Sequence, residues 1–243
     1  MSLNLTAFQL KLIALTGMTI QHIAIVFSDR LPIVLQFPMQ LAGGMTFPIL
    51  AFLLIEGYRN TSSIIKYLMR LYIFGAIAQI PFMLAFGVLA FNIMFTLAVG
   101  LTMVVLYDKI KHRALFWLIF FPVVFATSIF DWPIIGVAMI LMYHILEGEY
   151  RRRTAPAAFG GLALLFITHI PNFMYTGRIT PVMLFPVGCM LAMPLNWAYN
   201  GRRGRNWKML FYAYYPAHLT VLAGIAFFMG LTDFSIITDL LYI

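Results

Sequence analysis

Long apolar runs follow one another along almost the whole chain, and only short polar segments separate them. The hydrocarbon core of a bilayer is about 30 Å thick, so a helix of about 20 apolar residues crosses it. Only 10% of the residues are charged, whereas about a quarter of a soluble domain is. The pattern predicts an all-α, polytopic integral membrane protein, folded as a single domain over residues 1–243. We predict nine transmembrane helices, at residues 11–28, 38–57, 64–90, 92–107, 114–130, 132–147, 156–172, 180–199 and 208–231.

The basic residues are distributed unequally between the two sides of these predicted helices. Of the 16 Lys and Arg residues, only Arg30 and Arg178 fall on the side opposite the N-terminus. Cytoplasmic loops carry the excess of Lys and Arg in membrane proteins, so we predict a cytoplasmic N-terminus and an external C-terminal tail, residues 233–243. The net charge of +8 is then mainly an orientation signal rather than a sign of nucleic-acid binding. A basic inner surface also suits an anionic cofactor, and that alternative stays open.

Two histidines interrupt the first and the last predicted helices at the same depth. His22 follows Lys11 by eleven residues, which is about 16 Å along a helix, and His218 follows Lys208 by ten, which is about 15 Å. Both then lie near the midplane of the bilayer. Ionisable groups at that depth usually face a polar cavity and have a function, so we predict a polar intramembrane chamber shared by both histidines. The alternative is that each is a packed histidine, hydrogen-bonded between helices.

Other polar side chains in or beside the apolar runs are candidates to line this chamber. They are amides and hydroxyls, namely Gln21, Gln79, Asn92, Thr96, Asn196, Tyr212, Tyr214 and Tyr215. Glu56 and Arg70 lie at cytoplasmic helix ends, where an interfacial ion pair or a snorkelling side chain is the alternative to a functional role. The sequence has no H-E-x-x-H or paired-Cys spacing, so it predicts no metal site. The pairs Gly43-Gly44 and Gly160-Gly161 predict close helix packing.

Five segments, taken in order, resemble the TraX family. They are KLIALTGMTIQHIAIVF, AGGMTFPILAFLLIEGYRNT, KYLMRLYIFGAIAQIPF, FNIMFTLAVGL and WKMLFYAYYPAHLTVL. That family consists of membrane proteins associated with N-terminal acetylation of conjugative pilin. It is similar to a wider group of integral-membrane acyltransferases, which includes the acyltransferase-3 type and the heparan glucosaminide acetyltransferases.

Single residues carry part of the resemblance. The wider group has a basic residue before its first-helix histidine, at the spacing that Lys11 and His22 keep. TraX-like chains commonly have an aspartate before this histidine, whereas this chain has Gln21. Lys66 and Arg70 are the nearest equivalents of the paired arginines of the acyltransferase-3 type.

The resemblance implies a transmembrane acyltransferase of the bacterial inner membrane that uses acetyl-CoA as its donor and no metal. His22 would act as general base or as a transient acyl carrier, and Tyr215 and His218 would orient it or hold the acyl oxygen. The donor would contact Lys11, Glu56, Lys66 and Arg70. The acceptor, the N-terminal amine of a pilin-like peptide or another envelope acceptor, would enter from the other leaflet or from the outer face. It would contact Gln21, Gln79, Asn92 and Tyr212. A small transporter or a pilus-assembly scaffold without acyl transfer is the alternative.

Overall fold

The computed structural model describes residues 4–231, and within them the chain is all-helical, without a β-strand. The C-terminal tail that we predict to be external lies outside these residues. The α-helices are α1 (Ala7–Val26), α2 (Ile33–Gly44), α3 (Thr46–Arg59), α4 (Ile64–Phe86), α5 (Ile93–Lys109), α6 (Arg113–Ala126), α7 (Ile135–Ile145), α8 (Glu149–Leu164), α9 (Ile170–Thr176), α10 (Phe185–Trp197) and α11 (Lys208–Phe228). A π-helical segment, Leu165–His169, joins α8 to α9. The predicted all-α class is confirmed.

Five helical stretches within the described residues are long and apolar enough to cross a membrane. They are Ala7–Val26, Ile33–Arg59, Ile64–Phe86, Glu149–Thr176 and Lys208–Phe228. The other four predicted spans overlap the shorter helices α5, α6, α7 and α10. These lengths and compositions are those of a helical membrane protein, and the count of nine transmembrane helices stays a prediction.

The predicted span at residues 132–147 begins three residues too early. The helix α7 starts at Ile135, because the chain before it leaves the helical conformation. Trp132 has a φ of 61° and Ile134 a φ of 57°, on either side of Pro133. This left-handed conformation costs roughly 1–2 kcal/mol per non-glycine residue, so tertiary contacts must hold it, and hydropathy does not report them.

The described residues divide into two compact units. The first comprises residues 4–24, Ser28–Arg59 and Ala138–Asn206, and the second comprises Ile25–Phe27, Asn60–Val137 and residues 207–231. The first therefore contains most of α1, all of α2 and α3, and the helices from α8 to α10. The second contains α4, α5, α6 and α11. The predicted single domain over residues 1–243 stays a prediction.

In the first unit, α10 packs against α2, α3 and α8 with the main chains in contact. A Cβ added to Gly44 would overlap the Phe185 carbonyl, and one added to Gly188 would overlap the main chain of α2. A Cβ at Gly160 or Gly161 would likewise overlap side chains of α7 and α10. Only glycine allows so close an approach, so the close packing predicted at these glycine pairs is confirmed.

In the second unit, α4 packs along both α5 and α11. The end of α4 is set by Gly87, whose φ of 63° is left-handed and whose N–H donates to the Met83 carbonyl. The chain then runs in extended form to α5, and an isolated parallel bridge pairs Phe91 with Phe130. This bridge brings the segment between α6 and α7 to the start of α5.

Candidate functional site

Lys11, Gln21 and His22 lie on α1 in the first unit. His22 is eleven positions after Lys11, and at about 100° per residue this brings the two within about 20° of each other around the helix, so they share one face. His22 is buried. The Nε2 of Gln21 donates to Oε1 of buried Gln40 on α2, at 3.3 Å, and the side chain of Gln21 packs against Gly43. Gln21 is therefore held toward α2, and its contact with an acceptor stays a prediction.

Glu56, near the end of α3, forms ion pairs within the first unit. Its Oε1 lies 3.0 Å from Nη1 of Arg59 and 3.6 Å from Nη2 of Arg152. Arg59 also donates to the carbonyls of Tyr143 and His144, both at 3.4 Å. These contacts tie the end of α3 to the end of α7 and the start of α8. The structure thus contains the interfacial ion pair that the sequence left open as an alternative, and donor binding by Glu56 stays a prediction.

Gln79 and Asn92 join α4 to the start of α5 in the second unit. Asn92 is fully buried, and its Oδ1 caps α5 by accepting from the Met94 N–H at 3.0 Å. Its Nδ2 donates to the Gly75 carbonyl at 2.8 Å and to Oε1 of Gln79 at 2.9 Å. The Nε2 of Gln79 donates to the Ala90 carbonyl at 2.7 Å. Both amides therefore have structural partners, and their predicted contact with an acceptor is untested.

His218 lies between two tyrosine rings on α11, a helix that continues through Pro216. Its Nδ1 is 3.0 Å from the Tyr214 carbonyl oxygen. Because a carbonyl only accepts hydrogen bonds, Nδ1 carries the proton and the basic position of the ring is Nε2. The Tyr214 ring stacks on the imidazole at 5.1 Å, and the Tyr215 ring is tilted toward it at 5.5 Å. The buried imidazole therefore has a defined tautomer and a defined plane.

The guanidinium of Arg70 lies among aromatic rings where α4 packs on α11. Its central carbon is 5.7 Å from the centroid of the Tyr67 ring and 5.8 Å from that of Tyr212, within the range of cation–π attraction. The Tyr212 ring also stacks on Phe74 at 5.4 Å. Among the described residues no carboxylate pairs with Arg70, and its Nε is buried without a hydrogen-bond partner. Lys66 lies one turn earlier on α4 and is exposed, so this end of the second unit presents two cations.

Asp131, between α6 and α7, is a polar residue that the hydropathy pattern did not single out. Its N–H donates to the Phe91 carbonyl at 2.7 Å, and its own carbonyl accepts from Oγ1 of Thr96. Part of the residue's surface is accessible, but protein atoms surround the carboxyl. That burial raises the pKa of Asp131 to about 6, although the Trp132 N–H acts in the opposite direction. The carboxyl also interacts electrostatically with Tyr215. Its signal in the sequence is only one acidic residue between two apolar runs.

In the second unit the structure brings predicted residues together in three pairs. They are Gln79 with Asn92, Arg70 with Tyr212, and Tyr215 with His218. The chamber that would join His22 to His218 combines one residue from each unit and stays a prediction. Among residues 4–231 no group of three or more His, Cys, Asp or Glu side chains is placed to hold a metal ion.

Known proteins resemble the chain over nearly its whole length. A family model described as TraX protein matches residues 7–226. The Probable fimbrial assembly protein FimC, serogroup H1, of Dichelobacter nodosus is 29% identical over 248 residues, which cover 94% of this chain and 98% of that protein. No solved structure matches the chain.

Proposed function

This chain belongs to the TraX family, and from that premise we propose that it is an integral-membrane acyltransferase of pilus assembly. It transfers the acetyl group of cytoplasmic acetyl-CoA to the N-terminal amine of a pilin-like peptide or of another envelope acceptor. The relative named as a probable fimbrial assembly protein supports the pilus setting, and the membrane-length helices support the location. Kinship with the acyltransferase-3 type and the heparan glucosaminide acetyltransferases is part of the same proposal.

The observation that carries the proposal is the environment of His218. A hydrocarbon-crossing helix gains nothing from an imidazole and three neighbouring tyrosines unless they serve a polar site. The bond from Nδ1 to the Tyr214 carbonyl leaves Nε2 as the basic position, and the two ring contacts fix the direction in which Nε2 points. Such preorganisation is what a group needs to orient a second histidine or to hold an acyl oxygen.

Acetyl transfer to an amine requires a base, because an α-amino group has a pKa of about 8 and is largely protonated at pH 7. We assign this role to His22. Its imidazole takes one proton from the ammonium and passes it to water. It then takes a second proton as the neutral nitrogen attacks the thioester carbonyl, and that second proton goes to the sulfur as the C–S bond breaks. The products are the acetamide and the thiol of coenzyme A. Tyr215 and His218 stabilise the oxyanion that forms between these steps.

The donor approaches from the cytoplasm in this proposal. Arg70 offers a guanidinium without an acidic partner among the described residues, and Lys66 adds a second charge one turn away. Phosphate groups are bound by such cations through charge-assisted hydrogen bonds. Lys11, which shares the His22 face of α1, is the proposed donor contact in the first unit. Glu56 orients its neighbouring arginines.

The topology belongs to the same proposal. The chain crosses the bacterial inner membrane nine times, with the N-terminus inside and the C-terminus outside. The predicted cytoplasmic loop at residues 148–155 is helical from Glu149 onward, so the reporter is best placed in the segment between α7 and α8. The single cysteine, Cys189, is buried, and a cysteine introduced at Glu147 is therefore a selective reporter. An impermeant thiol reagent should label it only from the cytoplasmic side, and labelling from outside would reverse the orientation and the donor path.

A pilus-assembly scaffold is the second candidate, favoured by the name of the Dichelobacter nodosus relative. A scaffold would hold pilin through its helices without chemistry. It predicts that loss of either imidazole changes pilus assembly no more than loss of an equally buried apolar side chain. The acyltransferase predicts that such a variant still folds but loses product.

The deciding experiment uses the full chain in lipid nanodiscs with acetyl-CoA and a peptide that has an unblocked N-terminus. Mass spectrometry follows both the released coenzyme A and the acetylated peptide. His22→Ala should lower the rate by about 10²–10⁴-fold, the usual loss when a general base is removed. The control is His112→Ala, since His112 is exposed in a loop. Near-normal acetylation by the His22→Ala protein would remove His22 from the chemistry, and a wild-type protein without acetylation would favour the scaffold.

A further inference from the structure

Asp131 is an isolated acid in the apolar part of the second unit. The other acidic residue in the described part of this unit, Asp108, lies near the end of α5. The apolar parts of α4, α5 and α11 contain no Lys, Arg, Asp or Glu. These parts are residues 71–86, 93–107 and 209–228. No cation among residues 4–231 pairs with the Asp131 carboxyl. A buried carboxylate normally has a cationic partner or a metal, whereas the Asp131 carboxyl has the Trp132 N–H and no cation among these residues.

The Tyr215 hydroxyl is the second polar group at this place. It is buried and makes no hydrogen bond within the described residues. The Ile93 N–H lies near the phenolic oxygen but without hydrogen-bond geometry, and the Asp131 carboxyl is its charged neighbour. Buried hydroxyls nearly always have a partner, so the Tyr215 hydroxyl has an unused capacity for a hydrogen bond on the side of the molecule where Asp131 lies.

The main chain around Asp131 is held in an unfavourable conformation. The bridge between Phe91 and Phe130 and the hydrogen bond from Thr96 fix the segment on α5. Trp132 and Ile134 are both left-handed immediately after it, and a β-branched residue in that region is a genuine outlier. Strain of this kind clusters at functional sites, where the surrounding structure holds it in place.

We infer that Asp131 and Tyr215 form a binding site for a primary ammonium group, which receives the N-terminus of the acceptor. This inference rests on the proposed function. An ammonium has three donors and a positive charge, and a carboxylate and a phenolic oxygen are the acceptors that it needs. The rings of Phe91 and Phe130, 5.0 Å apart, add aromatic surfaces of the kind that attract cations. In the proposed nine-span topology residue 131 lies at the outer end, where the acceptor arrives.

Binding of an amine can be measured without acetyl-CoA. The probe is an alanine pentapeptide amide with an unblocked N-terminus, compared with the same peptide acetylated at its N-terminus, on the full chain in nanodiscs by isothermal titration calorimetry. Wild type should prefer the unblocked peptide. Asp131→Asn should weaken its binding about 10- to 100-fold, the range for a lost charge-assisted hydrogen bond, and leave the acetylated peptide unaffected. Asp108→Asn is the matched control and should leave the affinity for both peptides unchanged.

The pH dependence of the affinity for the unblocked peptide is a second test, and it is made on the wild-type protein, so it does not require a variant to fold. Ammonium binding needs the ionised carboxyl, so affinity should be present above the Asp131 pKa of about 6 and should fall as the pH drops through it. The groups around this carboxyl are the Thr96 hydroxyl on α5, the Tyr215 hydroxyl on α11 and, one turn along α11, the imidazole of His218, which is the one neighbour that needs a control. The measurement is therefore repeated in the His218→Gln protein, which has no histidine at this place. The fall in peptide affinity that is due to Asp131 should remain in it.

Two outcomes separate this inference from the proposed function. If Asp131→Asn keeps full affinity for the unblocked peptide while acetylation still depends on His22, the ammonium site is wrong and the acyltransferase stands. If affinity depends on Asp131 and on pH as described while no peptide is acetylated, the site stands and the proposed reaction fails. Equal affinity of wild type for both peptides would overturn the inference directly.

Discussion

Asn92→Ala is expected to destabilise the junction of α4 and α5 by about 2–3 kcal/mol. The substitution removes the N-cap of α5, which typically contributes about 1 kcal/mol, and two hydrogen bonds from Nδ2 to Gly75 and Gln79. Side-chain hydrogen bonds between membrane helices average about 0.6 kcal/mol and reach about 1.7 kcal/mol. Two such bonds at about 0.6–1 kcal/mol each, added to the cap, give about 2–3 kcal/mol, and water cannot replace them because Asn92 is fully buried.

Reversible unfolding in mixed detergent–SDS micelles, followed by far-UV circular dichroism, measures this free energy. Asn92→Ser is the matched variant, since a serine oxygen can still cap α5 but does not reach Gly75, and it should recover about 1 kcal/mol. A change below about 0.5 kcal/mol in Asn92→Ala would refute the structural role. If the Asn92→Ala protein is stable but no longer binds the peptide, Asn92 contacts the acceptor, as the sequence suggested.

Two further predictions concern the donor and the helix packing. The double variant Lys66→Gln, Arg70→Gln should raise the KM for acetyl-CoA while kcat changes little, because attraction to phosphate is mostly uniform binding; steady-state kinetics with an unchanged KM would move the donor site elsewhere. Gly188→Ala should destabilise the first unit by about 1–3 kcal/mol, since the added methyl overlaps the main chain of α2. Gly224→Ala is the control, because a Cβ there meets nothing within 4 Å. In the same unfolding assay it should leave the stability unchanged or raise it by up to about 1 kcal/mol. An equal loss of stability in the two variants would contradict the packing argument.

Much of the candidate site follows from asking which residues a bilayer disfavours. That reasoning selected His218 and Tyr215, which the structure places in ring contact, and Arg70, which lies beside the predicted Tyr212. It also selected Gln79 and Asn92, but burial alone does not distinguish a residue that contacts a ligand from one that caps a helix or forms a hydrogen bond between helices. It passed over Asp131 because a residue between two apolar runs has the pattern of a solvated loop.

Hydropathy and the placement of Lys and Arg are properties of short segments, so the sequence alone determined the helical membrane class, the positions of most helices and the expected orientation. The ordered segments that resemble TraX also determined the family. Tertiary structure decided which polar groups have partners, because the partners come from distant segments. Glu56 meets Arg152 only when α3 lies beside α8, and the main chain of Asp131 lies against the start of α5 only because Phe91 and Phe130 pair. In an apolar interior each such contact depends on ångström-scale placement of distant main chains, and no local pattern in the sequence encodes that placement.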